Sequence, residues 1–265
     1  MSGENRFRFR ETQRDIGFQP STTENLAVLS PEQIERFNET GYLTTLPGLS
    51  SADVGVLRQY LDWLIEEVVL ADDRRNSYSI NQYHQVSGPL WDLIHTPIFV
   101  DYVSDILGPE YVCWSPHLFC KLPGDRMEVP LHQDANYWPF TPTKSVTIWL
   151  AIDDVDENNA AMRFVQRSHL EGDLAHGELP LDGSVVRNRR VVEQERYDDV
   201  VLNELQAGEV SLHTDLLLHG SPANLSSRRR CGIALRYLAA QVKVVPGGES
   251  WTRSAVHVGA GDPSG

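Results

Sequence analysis

The stretch "SVTIWLAIDDVDENNAAMRFVQRS", residues 145–168, decides the fold class. A short run of apolar and β-branched residues ends at Ile152. A turn rich in Asp and Asn follows, and "AMRFVQRS" then resumes the pattern. Runs this short, bounded by turn residues, read as strands rather than helices. Along each strand, alternate side chains project to opposite faces. The turn "DDVDENN", residues 153–159, resembles a calcium loop only in composition, and a solvated hairpin turn is the simpler reading.

The same texture extends outward from this hairpin. "YVCWSPHLFCKL" (111–122), "EVSLHTDLLLHGS" (209–221) and "CGIALRYLAAQVKVV" (231–245) are further strand-like runs between Gly, Pro, Asp and Asn turns. Upstream the period changes. In "LSPEQIERFNETGYLTTLPGLS" (29–50), Ser30 caps a helix, Pro31 opens it, Gln33 takes the reciprocal capping position and Gly41 stops it. "YLTTLPG" reads as a short strand. A second helix follows, expected to be capped by Ser51, with Val54, Leu57, Leu61, Leu64 and Val68 at helical spacing. "PLWDLIHTPIFVDYVSDILGPE" (89–110) predicts two short helices broken near Pro97 and closed by Gly108. The expected fold class is therefore mainly β with flanking α-helices, an antiparallel sandwich or barrel behind an N-terminal helical layer. Residues 1–28 are expected to form an N-terminal arm, 29–246 a single domain and 247–265 a loose tail.

Composition narrows the function. The chain has 265 residues, 41% hydrophobic and 23% charged, as a soluble globular protein does. A net charge of −14 disfavours nucleic acid and anionic membrane surfaces as partners and leaves a small molecule as the expected ligand. No apolar run reaches a membrane-spanning length, and the opening residues lack a signal-peptide core, so a cytoplasmic location is expected. Cys113, Cys120 and Cys231 are scattered and odd in number, which suits core thiols rather than a disulfide framework. Oligomeric state is not legible.

Nine histidines are present, and position must separate them. In "PLHQDANYWPF" (130–140), His132 and Asp134 share one face of an extended segment. His219, in "LLLHGSPAN", ends an apolar strand. Two histidines and one carboxylate form the ligand set of mononuclear non-haem Fe(II) sites, although zinc hydrolases also use such ligands. Arg230 follows His219 by eleven residues and Ser221 by nine. An arginine fork suits the far carboxylate of a dicarboxylate cosubstrate, and a hydroxyl beside it can add a hydrogen bond.

These stretches together resemble the phytanoyl-CoA dioxygenase family of Fe(II)- and 2-oxoglutarate-dependent oxygenases. The resemblance runs through "LSPEQIERFNETGYLTTLPGLS", "PLHQDANYWPF", "IWLAIDDVDENNAAMRFVQRSH" and "GEVSLHTDLLLHGSPANLSSRRRCGIALRY", covering most of residues 29–240. It implies a double-stranded β-helix, a jelly-roll or cupin-like barrel. It implies His132, Asp134 and His219 as iron ligands, and Arg230 with Ser221 on 2-oxoglutarate. His117 and Trp149 fall where family members line the cosubstrate pocket. The implied cofactor is Fe(II), with 2-oxoglutarate and O2 as cosubstrates, and the implied reaction is hydroxylation of an unactivated C–H bond of a small molecule, a secondary metabolite being one such. Desaturation, cyclisation or another oxidative rearrangement at the same centre stays open, as does a non-catalytic metal-binding barrel. Halogenating relatives carry a small residue where Asp134 stands, so its carboxylate argues against halogenation. "FVQRSH" (164–169) departs from the family's Pro-Gly-Ser-His, which is expected to alter a turn rather than the chemistry.

Several other residues have two readings. Arg228 or Arg229 can replace Arg230 if the strand register slips. Arg236 shares parity with Arg230 and can meet an anionic substrate or pin an acid. Tyr137 and Trp138 can wall the substrate cavity or pack a loop. Gln82 and His84, in "INQYHQ", are candidates for a wall over the site. His213, His169 and His176 are read as structural.

Overall fold

Local chemistry sets the helix ends. The structure is a computed structural model describing residues 13–71, 73, 75–180 and 182–259. In α1 (Pro31–Thr40) the Ser30 hydroxyl accepts the Gln33 amide and the Gln33 side chain accepts the Ser30 amide, while Gly41 at φ 87° ends the helix. After β1 (Tyr42–Leu46), α2 (Ser51–Leu70) is capped by Ser50 rather than by the expected Ser51. Ser50 lies three residues before Asp53 and so reaches its amide, 3.2 Å away. Helices α3 (Gly88–Ile94) and α4 (Pro97–Leu107) complete the layer. Among the described residues no helix is long and apolar enough to cross a membrane.

The strands follow as β2 (Tyr111–Cys113), β3 (His117–Lys121), β4 (Val129–His132), β5 (Phe140–Thr141), β6 (Ser145–Ala151), β7 (Met162–Val165), β8 (His176–Glu178), β9 (Arg189–Val191), β10 (Val200–Asn203), β11 (Val210–His213), β12 (His219–Ser221), β13 (Arg230–Ala239), β14 (Lys243–Val244) and β15 (Val256–His257). A seven-stranded antiparallel sheet runs β1-β11-β6-β13-β2-β15, with β3 also on β13. A four-stranded sheet runs β10-β7-β12-β4. This is the mainly β architecture that the short runs predicted, in the double-stranded β-helix form that the family resemblance implied.

Strand alternation divides the large sheet into two faces. Val146, Ile148 and Leu150 of β6, with Ile233, Leu235 and Tyr237 of β13, share a core with the helices. Trp149, Ala151 and Ala234 point the other way and pack with Phe164 and Met162 of the small sheet. The space between the sheets is thus built by the odd residues of β6 and the even residues of β13. A Cβ at Gly232 would lie 2.0 Å from the Trp149 indole, so the missing side chain is what lets that ring lie across β13.

Both flanks are tied down where described. Arg14 donates to the Ala135 and Trp138 carbonyls, and the amides of Ala27, Val28 and Leu29 donate to the Asp105 carboxylate. The C-terminal stretch, expected to be loose, instead adds β15 to the sheet edge beside β2. Trp251 packs 5.9 Å from the Trp114 ring, and His84 donates to the Ser254 carbonyl at 2.7 Å. Strand pairing, this hydrogen bond and the aromatic contact together account for the difference in a stretch rich in Gly and Ser. The ends of the expected arm and tail, 1–12 and 260–265, lie outside the described residues.

Candidate metal centre and its pocket

Strands β4 and β12 pair with His132 directly opposite His219. The two imidazole centres are 4.4 Å apart. Strand β4 ends at His132, two residues short of Asp134. Gln133 stays extended (φ −100°, ψ 130°), and Asp134 opens a short 3-10 turn, so its carboxylate still reaches the histidine side. Gln133 is held firmly. Its side chain donates to the Gly172 and Leu216 carbonyls and accepts the Leu174 amide, and its own amide donates to His176 Nε2. His176, read as structural, is a strand residue that braces the segment between two candidate ligands. Gly220 permits the close approach of β12 to β4, because a Cβ there would lie 2.5 Å from the Val129 carbonyl oxygen.

One donor atom each from His132, Asp134 and His219 falls within 4.8 Å of the others, and all three residues are buried. The tautomers follow from the partners. His132 Nδ1 donates to the Pro130 carbonyl at 2.8 Å and His219 Nδ1 to the Leu217 carbonyl at 3.0 Å, since a carbonyl only accepts. Each Nε2 is left with a free lone pair. His132 Nε2 and Asp134 Oδ1 are buried without a hydrogen-bond partner, 3.4 Å apart. Burial pushes the His132 imidazole down to about 3, with His219 adding to the effect, and burial also lowers His219. Burial works against ionised Asp134, yet Arg236 and Arg187 outweigh it and hold the carboxyl well below its ordinary value. Two neutral imidazoles and one ionised carboxylate, with orphaned donors facing each other, are compatible with an iron site.

The pocket beside this group is walled by Phe119, Val129, Thr147, Trp149, Met162, Ser221 and Ala234, together with Arg187, Arg230 and Arg236. Arg230 is 1% exposed; its Nε donates to the Ala160 carbonyl, and its guanidinium carbon lies 5.4 Å from the centre of the Trp149 ring. Arg228 and Arg229 turn outward instead, to Asp156 and to Asp153 with Asp62. The acidic turn thus takes two arginines of the basic cluster and leaves the third in the barrel. Ser221 Oγ is buried at the pocket with no partner.

Other sequence candidates land elsewhere. His117 does not line the pocket: its Nε2 donates to the Tyr78 carbonyl and its ring backs Phe119 at 4.2 Å. Tyr137 and Trp138 pack rather than wall. The Tyr137 hydroxyl donates to the Arg189 carbonyl with Arg187 over its ring at 4.7 Å, while Trp138 meets Trp114 edge-to-face under Arg236. Gln82, at φ 63°, only ties its amide to the Pro116 carbonyl, because this loop docks on β3 away from the pocket. His84 faces the C-terminal stretch, and His169 donates to the Asn38 carbonyl. His213 enters the pocket wall, 4.7 Å from the His219 ring, but is outside the three-donor group.

Sequence reasoning missed Arg187. It stands between β8 and β9, on a loop anchored to Glu128 by two backbone hydrogen bonds just before β4. That anchor brings its Nη2 to 3.3 Å from Asp134. It also missed Thr147, which parity with Trp149 on β6 places on the inner face.

Two antiparallel sheets closing on a His-Asp-His group define the class: a double-stranded β-helix of the oxygenase type. The family model for phytanoyl-CoA dioxygenase (PhyH) matches residues 27–232, and the chain belongs to that family. Peroxisomal phytanoyl-CoA dioxygenase of Bos taurus is 26% identical over 232 residues, spanning 79% of this chain and 68% of the bovine one. The solved non-heme monooxygenase ThoJ, in its apo form, is similar at TM-score 0.72 and 25% identity, over 86% of this chain and 84% of that one. EctD from S. alaskensis, solved with 2-oxoglutarate and 5-hydroxyectoine, shares the fold at TM-score 0.72 and 17% identity, over 89% and 86%.

Proposed function

We propose that the chain is an Fe(II)- and 2-oxoglutarate-dependent dioxygenase that hydroxylates an unactivated C–H bond of a small molecule. The observation that carries this reading is a pocket in which three metal-type donors, two with orphaned atoms, face a buried arginine and a free serine hydroxyl. In this reading His132, Asp134 and His219 hold the iron. Arg230 binds the distal carboxylate of 2-oxoglutarate as a bidentate fork, Ser221 donates a further hydrogen bond, and the Trp149 indole fixes the guanidinium plane. When bound, the ferrous ion with 2-oxoglutarate and dioxygen supplies the oxidant. The protein's part is to present the C–H bond and exclude water. The apolar wall of Phe119, Val129, Met162 and Ala234 serves the second task. Gln133, clamped at both ends of its side chain, keeps His132 and Asp134 in register. The net charge of −14 supports a small-molecule substrate over a polyanion, and a cytoplasmic setting is part of the proposal.

The test is aerobic incubation with Fe(II), 2-oxoglutarate and a panel of small molecules, reading succinate and product mass together. Succinate release matched by gain of one oxygen atom from labelled dioxygen supports hydroxylation. Loss of two hydrogens, or an isomer of unchanged mass, assigns another outcome at the same centre. No substrate-triggered succinate with any panel member at full iron loading would count against the proposal.

A further inference from the structure

We propose that Arg187 and Arg236 form a subsite for an anionic head group, a carboxylate or a phosphonate, on the primary substrate. The inference rests on the oxygenase reading above and deepens it.

The pocket wall holds three guanidiniums and one carboxylate, Asp134. A divalent metal and the two carboxylates of 2-oxoglutarate cancel each other in charge. Two positive charges therefore remain uncompensated in a largely buried wall. Buried charge is costly without a partner. The cosubstrate cannot supply that partner, because one of its carboxylates goes to the metal and the other to Arg230.

Asp134 does not satisfy the pair either. Arg236 Nε lies 3.5 Å from Asp134 Oδ2 and Arg187 Nη2 lies 3.3 Å from Oδ1, one long contact from each side. A guanidinium carries five donors in a fork. The Nε of both arginines is buried without a hydrogen-bond partner, and Arg236 is 3% exposed. If orienting Asp134 were the whole role, one bidentate arginine would suffice.

The surroundings suit an anion joined to an apolar body. Both guanidiniums flank the Phe119 ring, with carbons 5.9 and 5.8 Å from its centre. Tyr137 and Trp138 lie over Arg187 and Arg236 respectively, at 4.7 and 5.6 Å, and fix the two planes. Met162 and Ala234 continue the apolar wall beyond Phe119. Arg187 is the more accessible member, with 16% of its side chain exposed. A head group entering past it meets Arg236 next, close to Asp134 and hence to the metal.

The experiment is calorimetric titration of protein loaded with Ni(II) and 2-oxoglutarate. The probes are hexanoate, octanoate and octylphosphonate, against the neutral hexanamide and octanamide. At least one acid is expected to bind about tenfold or more tightly than its amide. Arg187→Gln should remove that preference and Arg187→Lys should retain part of it. Equal affinity of acids and amides, or no binding of any acid, overturns the subsite. So does displacement of 2-oxoglutarate by the acids, or a loss of 2-oxoglutarate affinity in Arg187→Gln as large as in Arg230→Ala, since Arg187 would then serve the cosubstrate. A parallel anaerobic Fe(II) titration separates the two levels: an absent ferrous 2-oxo-acid chromophore removes the oxygenase reading and this inference with it, whereas an intact chromophore with no anion preference removes the inference alone.

Discussion

The two sheets divide the pocket's chemistry between them. The four-stranded sheet contributes His132 and His219, held opposite each other by the β4–β12 register. The seven-stranded sheet contributes Thr147, Trp149, Arg230 and Arg236 from alternate positions of β6 and β13. On the first, neutral imidazoles present lone pairs. On the second, buried guanidiniums present donors. The lesson is that the histidines and the guanidiniums of β13 face each other from opposing rigid walls, while Ser221 on β12 and the Arg236–Asp134 contact couple the two sets.

The largest effect should come from the four-stranded side. His132→Ala, Asp134→Ala and His219→Ala should each reduce substrate-triggered succinate to background, checked at full iron loading; full turnover in any of them would break the division of labour. On the opposite wall, Arg230→Ala should weaken 2-oxoglutarate binding by roughly tenfold to a hundredfold, as expected for a lost charged hydrogen-bond pair. Arg228→Ala, removing only an exposed pair with Asp156, should leave that affinity where it was.

Acid should also act through buried histidines in the pocket wall and behind it. His117 and His132 are pushed by burial down to about 3, and burial lowers His213 and His219 as well. Below about pH 6.5 the unfolded chain binds protons that these folded imidazoles refuse. Stability of the metal-free protein present above that pH is therefore lost as pH falls towards 3. Asp215, raised by burial to about 7, has the opposite sign between 3.8 and 7 and offsets one of the four. Thermal melts of metal-free protein should fall by several degrees between pH 6.5 and 4.5; a flat profile would contradict the neutral-imidazole account.

Smaller effects sharpen the picture further. Gly232→Ala puts a methyl into the Trp149 ring and should cost about 1–3 kcal/mol of stability, with weaker 2-oxoglutarate binding as the indole leaves Arg230. Arg167, at the glycine position of the Pro-Gly-Ser-His pattern that the resemblance implied, adopts φ 67°. Arg167→Gly relieves that conformation but loses the exposed pair with Glu39, so denaturant melts should shift by less than about 1 kcal/mol.

Much of this was legible because it is local in sequence. The capping box at Ser30, the stop at Gly41 and the alternation of β6 and β13 act over a few residues. The His132–Asp134 spacing and the His219-to-Arg230 offset likewise lie within single turns or adjacent strands. The parity that puts Arg230 and Arg236 on one face was readable, but which arginine of "RRR" turns inward was fixed only when Asp153 and Asp156 drew its neighbours out. Arg187 was not legible. It shares its segment with Arg189 and Arg190, and only the long-range anchor on Glu128 selects it. The C-terminal strand was hidden for a similar reason, since it docks through long-range contacts, Trp251 on Trp114, His84 on Ser254 and β15 on β2.

The most direct test of the central claim is an anaerobic titration of metal-free protein with Fe(II) and then 2-oxoglutarate, following the visible charge-transfer band of a chelated ferrous 2-oxo acid. The account predicts a saturable band in the wild type, lost or weakened in Asp134→Ala and needing more 2-oxoglutarate in Arg230→Ala. A folded, iron-loaded wild type that shows no band would contradict the oxygenase assignment and leave a metal-binding barrel in its place.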